Sequence, residues 1–191
     1  MKRLISKQKQ EKNKKLKQFA TGGVLIFVML FSIVGYSFQS NPSKSEKKIN
    51  YNGLEFINQN DFWILQLQNL NFIFKFNPLQ TEGIHASELN SFQTYSGKPL
   101  YIYSENQEAE SEIYRNLNQI ALRIRKAYLQ GEEGDENLPV KTCEDNFIIL
   151  KETNNTQIIQ NQSCVFIQGP KEELVKITDE FLFKIIKIKE Q

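Results

Sequence analysis

Twenty consecutive residues without a charge, Phe19 to Phe38, follow directly on a strongly basic tail. At 1.5 Å per residue a helix of this length spans the roughly 30 Å hydrocarbon core of a bilayer. A helix satisfies its own backbone polar groups in lipid, so the run is expected to be a single transmembrane helix. It divides the chain into a basic cytoplasmic tail (1–18), the transmembrane helix (19–38), a polar linker (39–48) and an extracytoplasmic domain (49–191). The competing reading is a cleaved signal peptide with Gly35-Tyr36-Ser37 as its cleavage site. Such peptides carry a shorter apolar core, and the basic stretch here is unusually long. The retained anchor is therefore preferred.

Charge sets the orientation. The tail holds eight Lys and Arg residues against the single acid Glu11, whereas the near outer flank has only Lys44, Lys47 and Lys48. By the positive-inside rule the N-terminus stays in the cytoplasm and the C-terminal domain lies outside the cell membrane. The tail is expected to meet anionic lipid headgroups rather than nucleic acid, because no aromatic residue before Phe19 offers a stacking platform. Of the chain's 24 basic and 22 acidic residues, the tail takes eight and one. The remaining 16 and 21 give the outer part a net charge of −5.

The two cysteines, Cys143 and Cys164, both fall in the outer part. An even number in an oxidising compartment is expected to form one disulfide, with two buried thiols as the other reading. A metal site is poorly served by one histidine, His85, and no CxxC. Asn154-Asn155-Thr156 and Asn161-Gln162-Ser163 match the N-glycosylation pattern, which makes Asn154 and Asn161 candidate acceptors, while the proline in Asn41-Pro42-Ser43 excludes that match.

Periodicity suggests α+β. Strands are expected over Tyr51–Ile57, Phe62–Gln68 and Phe72–Phe76, with a turn at residues 58–61. A mostly polar stretch, Leu79–Gly97, follows, in which Ser87–Ser91 is expected to form one helical turn. A short strand covers Leu100–Tyr103. Ser104 reads as a helix N-cap with Gln107 three residues on. An apolar stripe from Ala109 through Ile113, Leu117, Ile120 and Ile124 to Tyr128 predicts one long helix ended by Gly131. Further strands are expected at Phe147–Glu152, Thr156–Gln160 and Cys164–Gln168, with Asn154-Asn155 as a hairpin signal. Pro170 opens a last helix whose buried stripe is Leu174, Ile177, Phe181, Ile185 and Ile188. A mostly antiparallel sheet with the two amphipathic helices packed on one face is the expected architecture.

The candidate chemistry is thin. Glu108, Glu110, Glu112 and Arg115 could supply acid–base pairs, but helical spacing makes them surface neighbours. The acidic stretch Glu132, Glu133, Asp135 and Glu136 lacks the alternating ligands of a calcium loop. Trp63 is expected in the core. No GxSxG, P-loop, GxGxxG or HExxH occurs, and no cofactor is implied.

The strings YNGLEF (51–56), PLYIYSENQEAESEIYRNL (99–117), LPVKTCEDNFIIL (138–150) and CVFIQG followed by KITDEFLFKII (164–186) resemble those of a group of uncharacterised archaeal single-pass membrane proteins with a small extracytoplasmic domain. The resemblance covers most of the outer domain and implies an archaeal cell surface, with no activity. The expectation is a membrane-anchored interaction or assembly domain without catalysis, with a protein partner at its outer face. The alternatives are a membrane-tethered enzyme, such as a hydrolase using carboxylates from 104–112 and 132–145, or a subunit of a membrane complex.

Overall fold

The computed structural model describes residues 47–132 and 137–189, together with Val24, Ile26, Val28 and Met29. Cα proximity divides the chain into two compact units, Met1–Ser45 and Glu46–Gln191. In the first, the four described residues are helical and exposed. The tail, the rest of the expected transmembrane run and residues 39–46 of the linker lie outside the described residues. Among the described residues no helix is long and apolar enough to cross a membrane.

The second unit opens with a four-stranded antiparallel meander: β1 (Lys47–Tyr51), β2 (Leu54–Gln59), β3 (Phe62–Leu67) and β4 (Leu70–Phe74). The expected strand Tyr51–Ile57 is broken at Asn52-Gly53, where φ is 50° and 80°. Asn-Gly with both residues at positive φ makes the two-residue turn whose twist matches that of paired strands. Asn60-Asp61, at 51° and 66°, does the same between β2 and β3. Lys47 and Lys48 thus belong to a strand rather than to the linker. Alternation sends Phe56, Trp63, Leu65, Phe72 and Phe74 to one buried face.

The second sheet combines β5 (Pro99–Ser104), β6 (Arg123–Lys126), β9 (Phe147–Glu152), β10 (Gln157–Asn161) and β11 (Cys164–Gly169) in the order β10-β11-β9-β5-β6. Between β6 and β9 a two-stranded ribbon forms from β7 (Tyr128–Leu129) and β8 (Val140–Lys141). Antiparallel pairing holds through the meander and at the β10–β11 edge, whereas β6–β5, β5–β9 and β9–β11 are parallel. The run Phe147-Ile148-Ile149-Leu150 is buried on both faces. Such unbroken apolar runs are the pattern of a covered parallel strand rather than of an alternating antiparallel one.

Helix α1 (Gln107–Leu117) crosses from β5 to β6, and α2 (Leu174–Ile185) follows β11. The expected long helix stops eleven residues before Tyr128. Asn116 and Asn118 are weak helix formers, and Arg123–Lys126 instead gains a backbone ladder from β5. The N-cap is Asn106, whose Oδ1 accepts from the Ala109 N–H at 3.1 Å. Ser104 is the last residue of β5 and bonds to the Asn106 backbone. Ser87–Ser91 is not helical; a short 3₁₀ turn forms at Phe92–Tyr95. Pro170 precedes a turn, and α2 begins at Leu174.

The helices do not cover one face of one sheet. They pack on each other, with α1 against β4 and β5 and α2 against β10 and β11. The Phe183 ring of α2 also lies 4.5 Å from that of Phe74 and 6.1 Å from that of Phe56. The result is a helical layer between two sheets. Of the 12 residues of α2, all but Lys176 are buried. The far face of the second sheet forms a smaller core of Tyr101, Phe147, Ile149 and Cys164 with Ala127, against which Leu129 and Cys143 pack.

Gly169 on β11 packs tightly against α2: a Cβ there would lie 2.2 Å from Ile177 Cδ1. Gly169→Ala should destabilise the fold by about 1–3 kcal/mol. Ile177→Val in the same chain removes the clashing methyl and should recover part of the loss. Urea unfolding of the three variants checks this; an unperturbed Gly169→Ala would place the strand and helix further apart.

Candidate functional site

A helix buried on all sides leaves its polar residues no water. Each must find a partner within the protein or lose several kcal/mol. Four adjoining polar positions on α1 and α2 show how this is met. Asn116 of α1 is buried, and its carboxamide pairs with both backbone groups of Ile73 at 2.8 Å, accepting from the N–H and donating to the carbonyl. It closes the outer edge of β4 as a neighbouring strand would. Glu180 of α2 accepts from Thr81 Oγ1 at 2.6 Å and from Lys189 Nζ at 2.6 Å, with Lys184 Nζ at 3.6 Å.

The other two positions are carboxyl groups that face each other. Glu112 of α1 is 3% exposed and Asp179 of α2 is 0% exposed. Glu112 Oε1 accepts from Arg115 Nη1 at 2.6 Å, and that guanidinium lies 4.6 Å from the Phe62 ring centre. Asp179 Oδ2 accepts from the Phe76 N–H at 2.8 Å. Burial holds the Asp179 carboxyl well above the usual range, and the charge of Glu112 pushes it further in the same direction. Burial also raises Glu112, against the opposing pull of Arg115.

An open groove of about 690 Å³ runs beside α1, lined by Glu105, Glu110, Tyr114, Arg115 and Lys126 among others. Glu110 is tied to Lys126 at 3.0 Å. Another, of about 610 Å³, is lined by Asn52, Leu54 and Ser91 together with Lys184, Lys187 and Lys189. Neither Glu112 nor Asp179 lines either groove. Arg115 connects the two regions, pairing with Glu112 while lining the first groove.

These placements change several expectations. Glu108 is exposed as expected, but Glu112 is buried within the helical layer, and Glu110, largely covered, meets the open groove paired with Lys126. Glu133 to Glu136 lie outside the described residues, and Glu132 pairs with Lys151. His85 is exposed, and Trp63 is in the core. Among the described residues no group of three or more His, Cys, Asp or Glu could hold a metal ion. Asn154, in the loop before β10, and Asn161, at its end, are both exposed. Asp179 and Glu180 escaped the sequence reading, which followed only one stripe of the last helix. Its run LVKITDEFLFKI carries apolar residues on every side, so any acid within it had to be buried.

Cys143 and Cys164 stand at bonding distance, 2.09 Å between sulfurs and 4.9 Å between Cα atoms. Cys143 belongs to the segment that covers the second sheet, and Cys164 begins β11. The carbonyl of Cys143 also accepts from the Ser163 N–H at 3.0 Å. No protein-family model, curated protein or solved structure matches this chain.

The cysteines are 21 residues apart. Closing a loop of this length stabilises by about 3 kcal/mol in the chain-entropy model. The double variant Cys143→Ser, Cys164→Ser should lose that amount in urea unfolding, and wild-type protein under reductant should match it. Equal stability of all three would mean that apolar contacts alone hold the covering segment.

Proposed function

We propose that this chain is a membrane-anchored domain outside the cell that acts as an interaction or assembly module and not as an enzyme. The observation that carries this reading is the position of the facing carboxyl groups. A carboxylate-dependent hydrolase needs its acid and base within reach of substrate. Glu112 and Asp179 are instead buried in the helical layer, and both grooves are lined without them. Of the two acids that do line a groove, Glu110 is neutralised by Lys126, and Glu105 accepts from the Glu152 N–H and the Tyr103 hydroxyl.

The cysteine pair supports the outward placement, since disulfides persist in oxidising compartments. The charge asymmetry about Phe19–Phe38 supports the same orientation, with the basic tail on the lipid headgroups of the inner leaflet. The resemblance to archaeal single-pass membrane proteins agrees with a cell-surface location. Exposed apolar side chains at Leu122, Val140 and Ile159 offer contacts to a protein partner.

Two measurements test the proposal. An impermeant maleimide should label Cys143 on intact cells after reduction and not before; labelling confined to opened cells would reverse the orientation. A photoreactive residue at Leu122, Val140 or Ile159 should give adducts of reproducible mass in native membranes. Absence of adducts from all three would overturn the interaction reading.

A further inference from the structure

Among the described residues, Glu112 Oε2 and Asp179 Oδ1 are buried side-chain oxygens that receive no hydrogen bond. The remaining oxygen of each group is engaged, Glu112 Oε1 by Arg115 and Asp179 Oδ2 by the Phe76 amide. The two carboxyl groups lie within hydrogen-bonding reach of each other. Two ionised carboxylates cannot form that bond, because each can only accept. Two fully protonated groups would leave the Arg115 guanidinium without a counter-charge. One proton between the two oxygens satisfies both and leaves a single negative charge for Arg115.

We propose that Glu112 and Asp179 share one proton across Oε2 and Oδ1, and that this proton is a pH-sensitive latch joining α1, α2 and the chain just beyond β4. The charged groups facing the pair are Arg115 from α1 and Lys75 from the stretch after β4. The neighbouring acid of α2, Glu180, is held separately by Lys189 and Lys184. Asp179 is the resting place of the proton, since it is the more deeply buried of the two and Arg115 favours the charged form of Glu112.

The sign follows from which state binds the proton. The folded protein keeps it above the ordinary carboxyl range, whereas the unfolded chain releases it at about pH 4. The stabilisation is therefore complete below the unfolded value and is lost as pH rises towards and through the folded one. Within that window each pH unit should raise the unfolding equilibrium constant up to tenfold. Beyond it, two negative charges lie close together in the buried layer with Glu112 Oε2 and Asp179 Oδ1 both without a donor.

Full-length protein in detergent micelles provides the test. Infrared spectra recorded as pH is raised should keep the carbonyl band of one protonated carboxyl group above the ordinary carboxyl range, and Asp179→Asn should remove it. In urea unfolding across pH, Asp179→Asn supplies a permanent N–H donor in place of the shared proton and should flatten the slope. Glu112→Gln should flatten it in the same way. Absence of the band from the wild type, or an unchanged slope in Asp179→Asn, overturns the proposal. If neither variant folds, the infrared titration of the wild type decides alone.

Discussion

The enclosure of α2 on every side is the constraint from which the rest of the structure follows. Phe183 reaches the meander and Ile177 reaches β11, so one helix serves as the core of both sheets. A residue larger than glycine at position 169 would have to displace the Ile177 side chain from that contact. Enclosure also requires that every charge on α2 be answered locally. The partners come from distant parts of the chain: Thr81 and Lys189 at Glu180, the Phe76 amide and Glu112 at Asp179. Segments with little secondary structure, 75–81 and 186–189, are thereby fixed to the centre of the protein.

The same economy appears at the sheet margins. An open strand edge invites pairing with another chain. At β4 that edge is occupied by the Asn116 carboxamide, with Gln119 donating to the Asn71 carbonyl at 3.2 Å nearby. One helix thus supplies both packing surface and edge protection, which explains why asparagine stands buried in the middle of an apolar stripe. At the other margin of the second sheet, β6 is paired with β5 on one side only and carries Arg123, Arg125 and Lys126 exposed. Charge there discourages the pairing that a side chain prevents at β4.

Local signals in the sequence were sufficient where one interaction dominated. Strands β3, β9 and β11 and the stripe of α2 appear close to where alternation and helical period put them. Readings failed where tertiary contacts decided. The spacing of Ile120, Ile124 and Ala127 continues a helical stripe by coincidence, and only pairing with β5 makes Arg123–Lys126 a strand. Asn52-Gly53 was a legible hairpin signal that the surrounding apolar residues obscured. The parallel sheet could have been inferred from the unbroken FIIL run of β9. Half of the carboxyl pair was visible as Glu112, but its burial depends on Asp179, 67 positions later, and no local pattern encodes that meeting.

The bond between Cys143 and Cys164 has a topological side. It closes a ring of chain that contains all of β9, the middle strand of the second sheet, and all of β10 at its edge. Between these strands the ring passes through Asn154–Thr156, three exposed residues. A protease that cuts the backbone there opens the ring without dividing the molecule. The two pieces stay covalently joined through sulfur, and each keeps one strand of the β9–β11 pair. A disulfide-closed domain of this design keeps both halves of the β9–β11 pair together after a nick in this exposed inner loop.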